Sequence, residues 1–430
     1  MNIENSVSLK GNSVAKDIAR GKILEANEKN KYSVMLVYAI LILVSSLYFN
    51  SPYEIFAGMR AITIAPSILV TDYMVVGNLG AALFNSGLLM IISITITKLN
   101  KVTMNGTVIA AILTVGGFAF FGKNIYNIWS ILLGIYIFSR IQKENYRKFI
   151  LVALFGTALG PMVSQLSFGL GINLFYGLIL GNIVGIIAGI ILPSLANHFI
   201  KFHQGFNIYN IGFTAGMAGS FFMAIFRSFG VENPQTLVIA EGYNNILSIY
   251  LSILFLSMII VGYLFNSGYK GLLKHTGRLV DDFVITEGFG ITFINMGLLG
   301  LASTLYILLV EGQLNGPIIG GIFTVVAFGA FGKHIKNIIP IFIGVYIAST
   351  LQIWDINATG ALLAALFGTT LAPIAGVFGW KMGILAGFLH MSMVMNVGYL
   401  HGGMNLYNNG FSGGLLAAIL VPIITAFKEV

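Results

Sequence analysis

The sequence predicts an all-α, polytopic transmembrane helical bundle of about 14 spans, arranged as two inverted seven-span repeats. Three observations predict this fold class. Of the 430 residues, 57% are hydrophobic and 9% are charged, whereas about 25% of the residues of an ordinary soluble domain are charged. Apolar stretches of membrane-spanning length recur along the chain, and a long segment of the first half recurs in the second.

The apolar stretches are interpreted as transmembrane helices because only helices and closed barrels satisfy every backbone group in lipid. The first seven lie near residues 33–49, 79–97, 105–122, 125–140, 149–165, 168–193 and 208–226. The second seven lie near residues 246–265, 287–309, 315–332, 337–350, 359–377, 382–400 and 405–426. The predicted domains are a polar cytoplasmic tail (1–32), a first repeat (33–226), a connecting loop (227–245) and a second repeat (246–427).

An internal duplication sets this architecture. Residues 72–138 align without a gap on residues 282–348, with 25 identities among the 67 positions. The repeated blocks in this alignment include Asn105-Gly106 with Asn315-Gly316, and Phe121-Gly122-Lys123 with Phe331-Gly332-Lys333. A second block repeats at a different spacing, as His-x-Gly-x-Asn-x-Tyr-Asn-x-Gly-Phe from His203 to Phe213 and from His401 to Phe411.

An odd number of spans per repeat requires the second copy to enter the membrane from the opposite face. The loop charges agree, because loop 140–148 carries four basic residues whereas its counterpart 350–358 carries only Asp355. Basic residues are enriched in cytoplasmic loops. The sequence therefore predicts a multi-pass protein of the cell (cytoplasmic) membrane with both termini in the cytoplasm.

The most distinctive candidate site is the pair of segments 198–210 and 396–408, which place polar residues and glycines within stretches of membrane length. In inverted-repeat transporters, broken helices at matching places mark the binding site. We expect half-helices or re-entrant turns here, the alternative being helix-end caps at the membrane surface. The candidate solute-binding residues are Asn207, Asn210, Asn405, Asn408, Tyr209, Tyr407, His203 and His401.

Further candidates correspond between the copies. Asn85 and Asn295 lie deep within spans and are added to the candidate solute-binding residues. Lys123 and Lys333 follow a Phe-Gly pair in a predicted tight hairpin, where they would attract anions at the mouth of a pathway. The alternative for the lysines is snorkelling at a helix end.

Asp72 and Asp282 are the acidic residues that correspond between the copies, and each precedes a span. An ionisable group within a membrane is a functional candidate, so both are candidates for binding a coupling ion. The alternative is that each caps the helix that follows it. Pro161 and Pro373 also correspond and predict a kink or a helix end within the span.

Several classes of chemistry find no support in the sequence. The chain has no cysteine, which excludes disulfides and thiolate metal sites. No zinc-protease, phosphate-loop or dinucleotide motif occurs in a suitable context, so we expect no metal, no cofactor and no enzymatic activity. The expected partners are the lipid bilayer and a small solute rather than nucleic acid, with self-association as an open alternative.

The repeated Asn-Gly, Phe-Gly-Lys and His-x-Gly-x-Asn-x-Tyr-Asn-x-Gly-Phe blocks over residues 70–430 resemble, in two tandem copies, the uncharacterised bacterial membrane family DUF1576. That resemblance implies no activity. The layout of seven plus seven spans is similar to that of uracil, anion-exchanger and sulfate-type carriers. The leading hypothesis is a transporter or channel for a small polar or anionic solute, with the pathway between the repeats. The alternatives are a membrane scaffold or assembly protein and, less favoured, a membrane-embedded enzyme.

Overall fold

The computed structural model describes residues 26–233, 237–265, 271–278 and 281–428, and most of the predicted tail therefore lies outside the described residues. Within these ranges nine helices are long and apolar enough to cross a membrane, and four shorter apolar helices accompany them. The prediction of a polytopic helical bundle is confirmed. Each of the predicted spans contains a helix.

Within the described residues, the first half has ten α-helices, α1 to α10. They are α1 (Glu28–Phe49), α2 (Pro52–Ile64), α3 (Tyr73–Val76), α4 (Leu79–Leu99), α5 (Gly106–Phe118), α6 (Trp129–Ile141), α7 (Ile150–Gly156), α8 (Gly160–Phe168), α9 (Leu174–Phe199) and α10 (Asn210–Ser228). The described part of the second half has nine, α11 to α19. They are α11 (Asn244–Phe265), α12 (Phe283–Thr286), α13 (Phe289–Leu309), α14 (Gly316–Ala327), α15 (Ile335–Leu351), α16 (Thr359–Gly368), α17 (Ala372–Phe378), α18 (Trp380–His401) and α19 (Asn408–Lys428).

Helix α2 is an element that the hydropathy pattern does not predict. It is 13 residues long and carries exposed Tyr53 and Phe56. The sequence nevertheless indicates where this helix starts, because Ser51 and Glu54 form a capping box and Pro52 occupies the first helical turn.

The two halves repeat the same helix pairings. Helix α1 packs on α4 as α11 packs on α13, and α6 packs on α9 as α15 packs on α18. The halves meet through α5 against α14 and through α10 against α19. These two contacts place the duplicated polar segments at the junction of the halves.

Helices α5 and α14 form the centre of the bundle and run antiparallel. A Cβ atom on Gly106 would lie 2.1 Å from the carbonyl oxygen of Ala330, and one on Gly316 would lie 2.7 Å from that of Phe120. The start of each helix therefore touches the chain just beyond the end of the other, with no room for a side chain. This close approach explains why both copies have glycine at the first helical position.

The predicted spans 105–122 and 125–140 contain shorter helices than expected. Helices α5 and α6 have 13 residues each, which is about 20 Å of helix against a hydrocarbon core of about 30 Å. All of α14 is buried, as is all of α5 apart from Thr107. Short helices are tolerated at membrane depth when protein surrounds them.

The paired prolines accompany an interruption in corresponding spans. A short 3-10 turn, Thr157–Leu159, separates α7 from α8, and another, Thr369–Leu371, separates α16 from α17. Pro161 and Pro373 lie in the first turn of the helix that follows each break. At that position the missing proline N–H leaves no hydrogen bond unmade.

The segments 198–210 and 396–408 differ in part from the expectation of half-helices. Residues 200–209 form a turn that links α9 to α10, and residues 402–407 form the equivalent turn between α18 and α19. Residues 396–401 continue α18. We call residues 200–209 and 402–407 the first and second motif turns.

Candidate functional site

Each motif turn is braced by its own histidine and asparagine. In the first, the His203 Nε2 and Asn210 Oδ1 atoms are 3.0 Å apart, and Asn210 Nδ2 donates to the Ala196 carbonyl at 3.2 Å. The second turn repeats this arrangement. The His401 Nε2 and Asn408 Oδ1 atoms are 2.9 Å apart, and Asn408 Nδ2 donates to the Val394 carbonyl at 3.2 Å. These four residues therefore fix the shape of the turns.

Each motif turn also contacts the helix break of the opposite half. The Ile208 N–H donates to the Thr370 carbonyl at 3.1 Å, and the Leu406 N–H donates to the Ala158 carbonyl at 3.1 Å. The Tyr209 N–H donates to Thr370 Oγ1 at 3.0 Å. A turn of each half thus docks on the helix break of the other, in addition to the helix pairs that join the halves.

Asn207 and Asn405 occupy equivalent positions and share one contact, since Asn207 Oδ1 accepts from the Tyr209 N–H at 3.3 Å, but their other partners differ. Asn207 Nδ2 donates to the Gly410 carbonyl of the second half at 2.9 Å, and its Oδ1 accepts from the Thr370 hydroxyl. Asn405 Oδ1 accepts from the Tyr407 N–H at 3.1 Å, whereas its buried amide nitrogen has no hydrogen-bond partner. Asn405 therefore retains a free donor at the junction.

Tyr209 and Tyr407 meet at the centre of the junction, with ring centroids 5.5 Å apart. Each ring also packs against a phenylalanine of the other half, Tyr209 on Phe328 and Tyr407 on Phe118, at 4.6 Å in both cases. The tyrosines therefore form an aromatic contact whose two sides are equivalent. Both side chains are buried.

The two lysines lie beside this aromatic contact rather than at a pathway mouth or an exposed helix end, and both are fully buried. Lys333 Nζ donates to the Tyr209 hydroxyl and to Thr369 Oγ1, the latter at 2.7 Å. Lys123 Nζ lies 5.2 Å from the centroid of the Phe118 ring and donates to the Leu154 carbonyl at 3.4 Å. Their predicted location is therefore wrong, since each lysine lies at the interior junction.

Asn85 and Asn295 position the lysine-bearing turns. Asn85 Nδ2 donates to the Ala119 and Lys123 carbonyls, both at 2.8 Å. Asn295 Nδ2 donates to the Gly329 and Lys333 carbonyls, both at 2.7 Å. Each asparagine holds the end of a central helix against the neighbouring long helix. Each therefore fixes the backbone of a lysine rather than forming part of the site itself.

Asp72 and Asp282 cap helices, as the alternative interpretation of the sequence expects, and each caps two. Asp72 accepts from the Met74 N–H at 2.8 Å and from the Gly316 N–H of α14 at 3.0 Å. Asp282 accepts from the Val284 N–H at 3.1 Å and from the Gly106 N–H of α5 at 2.9 Å. Each carboxylate therefore bridges its own half and the start of the other half's central helix.

Sequence reasoning missed the threonines of the helix breaks as site residues. Thr369 and Thr370 contact Lys333 and Asn207, respectively. The duplicated Phe-Gly-Thr block, at Phe155 and at Phe367, was the available signal. The threonine of this block can be recognised as a site residue only when the opposite half is known to dock on the helix break.

A pocket of about 990 Å³, open to solvent, reaches the second motif turn. Its lining consists of Arg227, Gly230, Val231, Glu232, Asn233, Tyr399 and Gly402. The Arg227 guanidinium lies 3.9 Å from the centroid of the Tyr399 ring. The pocket ends beside His401, which is itself fully buried. The described residues hold no group of three or more histidine, aspartate or glutamate side chains suited to a metal ion.

Comparison with known proteins assigns the chain to a family without a described activity. The model of a family described as "Protein of unknown function (DUF1576)" matches residues 51–228 and 263–426. No curated protein and no solved structure matches the chain. Each matched segment lies within one half of the bundle, the first beginning after α1 and the second at the end of α11, which confirms the resemblance of the repeated blocks to this family in two copies. The chain belongs to the DUF1576 family.

Proposed function

We propose that this protein is a membrane transporter for a small polar or anionic solute, whose pathway runs between two inverted halves. One observation carries the proposal: each motif turn docks on the helix break of the opposite half, so polar groups from both copies gather at one buried junction. Buried polar groups are costly at membrane depth unless satisfied. Their concentration at the junction therefore favours a function there.

Antiparallel packing supports inversion of the halves. Helices α5 and α14 derive from the same duplicated sequence and pack in opposite directions over their length. Two copies related by a rotation about the membrane normal would place these helices parallel. The reversed loop charges and the reciprocal contacts of Asp72 and Asp282 favour the same symmetry.

Transport through this junction requires the halves to move, because its polar side chains are fully buried as they stand. Asn207, Asn405, Lys123 and Lys333 each expose 0% of their surface. The pocket beside Arg227 would admit solute to the second motif turn once that turn shifts. A scaffold protein would instead present such groups to lipid headgroups or to a partner. Their burial between the halves favours transport.

The test combines solute binding with flux. Purified protein is heated with urea, nucleobases, carboxylates or inorganic anions, since a solute at about 100 times its dissociation constant adds about 2.7 kcal/mol of stability. We expect at least one solute to stabilise the wild-type protein and to cross the membrane of proteoliposomes that contain it. Stabilisation and flux should both disappear in Asn207→Ala/Asn405→Ala.

Asn396→Ala is the matched control, because Asn396 is exposed on α18 and bonds only within its own helix, to the Ser392 carbonyl. This variant should behave as the wild type does. Flux that persists unchanged in the double variant would place the pathway elsewhere. Absence of both stabilisation and flux for the whole panel would contradict the proposal.

A further inference from the structure

The two buried lysines have unmet hydrogen-bonding capacity. A lysine ammonium offers three donors. Lys123 Nζ makes a single hydrogen bond, of 3.4 Å, to the Leu154 carbonyl. Lys333 Nζ makes two, both to hydroxyl groups. Each lysine therefore has a donor left for a further partner.

Neither ammonium is balanced by a carboxylate. Among the described residues, the ion pairs are formed by Lys31, Lys148 and His275, at positions away from the junction. The nearby carboxylates of Asp72 and Asp282 are instead bonded to backbone amides. A buried charge without a counter-charge is strongly disfavoured, so a negative ligand would stabilise both lysines in their charged form.

The aromatic contact lies between the lysines. Lys333 Nζ lies 4.4 Å from the Tyr209 ring centroid, Tyr209 packs on Tyr407, and Tyr407 packs on Phe118 beside Lys123. The two lysines lie on opposite sides of the tyrosine pair and contact equivalent phenylalanines, Lys123 at 5.2 Å from the Phe118 centroid and Lys333 at 5.3 Å from the Phe328 centroid. The buried Tyr407 hydroxyl makes no hydrogen bond of standard geometry, and the side chain that lies close enough to interact with it is that of Thr114. The hydroxyl can therefore donate to an acceptor on its own side of the tyrosine pair.

We propose that the transported solute is a small anion, held at two equivalent positions, one at Lys333 with the Tyr209 hydroxyl and one at Lys123 with the Tyr407 hydroxyl. This inference rests on the proposed function and names its substrate class. The tyrosine pair separates the two positions, and the anion passes from one lysine to the other when the halves move. Neutral solutes lack the charge that both ammonium groups require.

Thermal shift with defined anions tests the inference. The probes are sodium nitrate, sulfate, phosphate, acetate and succinate, compared with gluconate at equal ionic strength. We expect at least one probe to raise the melting midpoint of the wild type. The rise should be smaller in Lys123→Met and in Lys333→Met and absent in the double variant. Tyr209→Phe should weaken binding about tenfold, which is the loss of one charge-assisted hydrogen bond.

Lys336→Met is the matched control, since Lys336 is exposed three residues from Lys333. It should respond to the anions as the wild type does. If no probe raises the midpoint, or if the double lysine variant still responds fully, the anion inference is overturned. A well-folded double variant is recognised by an unchanged elution volume in size-exclusion chromatography.

The same proteins separate failure of this inference from failure of the transport proposal. Flux of a neutral solute that depends on Asn207 but not on the lysines would overturn the anion inference and leave transport standing. Lysine-dependent anion binding without flux of any bound probe in proteoliposomes would leave the anion site standing and contradict transport.

Discussion

At the residue scale, the lysine-bearing turns depend on one asparagine each. Asn295 donates to the Gly329 and Lys333 carbonyls, and Asn85 makes the equivalent pair of bonds. Both asparagines are fully buried. A carbonyl that loses its partner at such a position has no water to replace it, so these residues affect both stability and the position of the lysines.

We predict that Asn295→Ala lowers the free energy of unfolding by about 1–3 kcal/mol, because two buried carbonyls lose their donor. Asn85→Ala should cost a similar amount, since its bonds are equivalent. Unfolding experiments in mixed micelles measure the free energy of unfolding of both variants. Asn396→Ala, on the exposed face of α18, provides the comparison. A loss no larger than that of Asn396→Ala would show that the turns are held by other contacts.

His275 introduces a pH dependence outside the spans, in the connection between α11 and α12. Its Nε2 lies 2.7 Å from Glu287 Oε1 and its Nδ1 lies 3.1 Å from Asp281 Oδ1. Burial lowers the pKa of His275, but hydrogen bonds to Glu287 and Asp281, together with their charges, outweigh it, and the pKa is raised above its ordinary 6.5. The protonated imidazole is therefore favoured in the folded protein.

Because the pKa of His275 is raised on folding, its protonated form stabilises the folded protein fully at a pH below the pKa of the unfolded state. This stabilisation is lost as the pH rises through the pKa of the folded state. We predict that the melting midpoint falls as the pH rises from about 6.5 to above the folded pKa. His275→Gln should remove this component and leave the remaining pH profile intact. A profile that is identical in the two proteins would contradict the assignment.

At the element scale, the two central helices are capped by the opposite half. Asp282 serves the start of α5, and Asp72 serves the start of α14. Asn105 and Asn315 also cap these helices, each accepting from an N–H three residues on. An anionic group at a helix N-terminus gains from the helix dipole as well as from hydrogen bonds.

We predict that Asp282→Ala destabilises the protein by about 2 kcal/mol, the upper range for loss of one cap, because two helix starts lose their acceptor. Asp282→Asn should be milder, since its amide oxygen still accepts. Unfolding in mixed micelles distinguishes them, with Glu311→Gln in an exposed loop as the control. Equal stability of the alanine variant and the control would show that the cap contributes nothing measurable.

The elements divide into those that the sequence predicts and those that it does not. Hydropathy locates each long helix, and the predicted spans that begin at residues 105 and 315 begin at the N-caps of α5 and α14. Hydropathy overestimated α5 because the residues after Phe118 are equally apolar yet form a turn. The apolar character there reflects burial in protein rather than contact with lipid, and composition alone does not separate the two.

At the scale of the whole molecule, the duplication predicts which residues correspond but not which residues meet. Lys333 contacts Tyr209 of the other half, and Asp72 contacts Gly316 of the other half. These pairings arise from the docking of the halves, on which spacing along the chain carries no information. For that reason the sequence predicts a pathway mouth for the lysines, although their repetition correctly marks them as candidates.

The absence of cysteine makes the junction accessible to engineered cross-links. A Cβ on Gly219 of α10 would lie 3.6 Å from the Asn405 Cβ of the second motif turn, within the usual disulfide range of about 3.5–4.5 Å. We predict that oxidation of Gly219→Cys/Asn405→Cys lowers its transport below that of the same protein in the reduced state, whereas oxidation changes the rate of neither single variant. Undiminished transport by the fully oxidised protein would show that the halves need not separate there.

Inversion of the halves makes a final prediction about the sides of the membrane. Glu144 and Asp355 lie in exposed loops at corresponding places in the two copies. Inversion places these loops on opposite faces, whereas a parallel duplication places them on the same face. In sealed vesicles, an impermeant maleimide should therefore label only one of Glu144→Cys and Asp355→Cys from outside, and permeabilisation should expose the other. Labelling of both from the same side would exclude inversion and with it the pathway proposed between the halves.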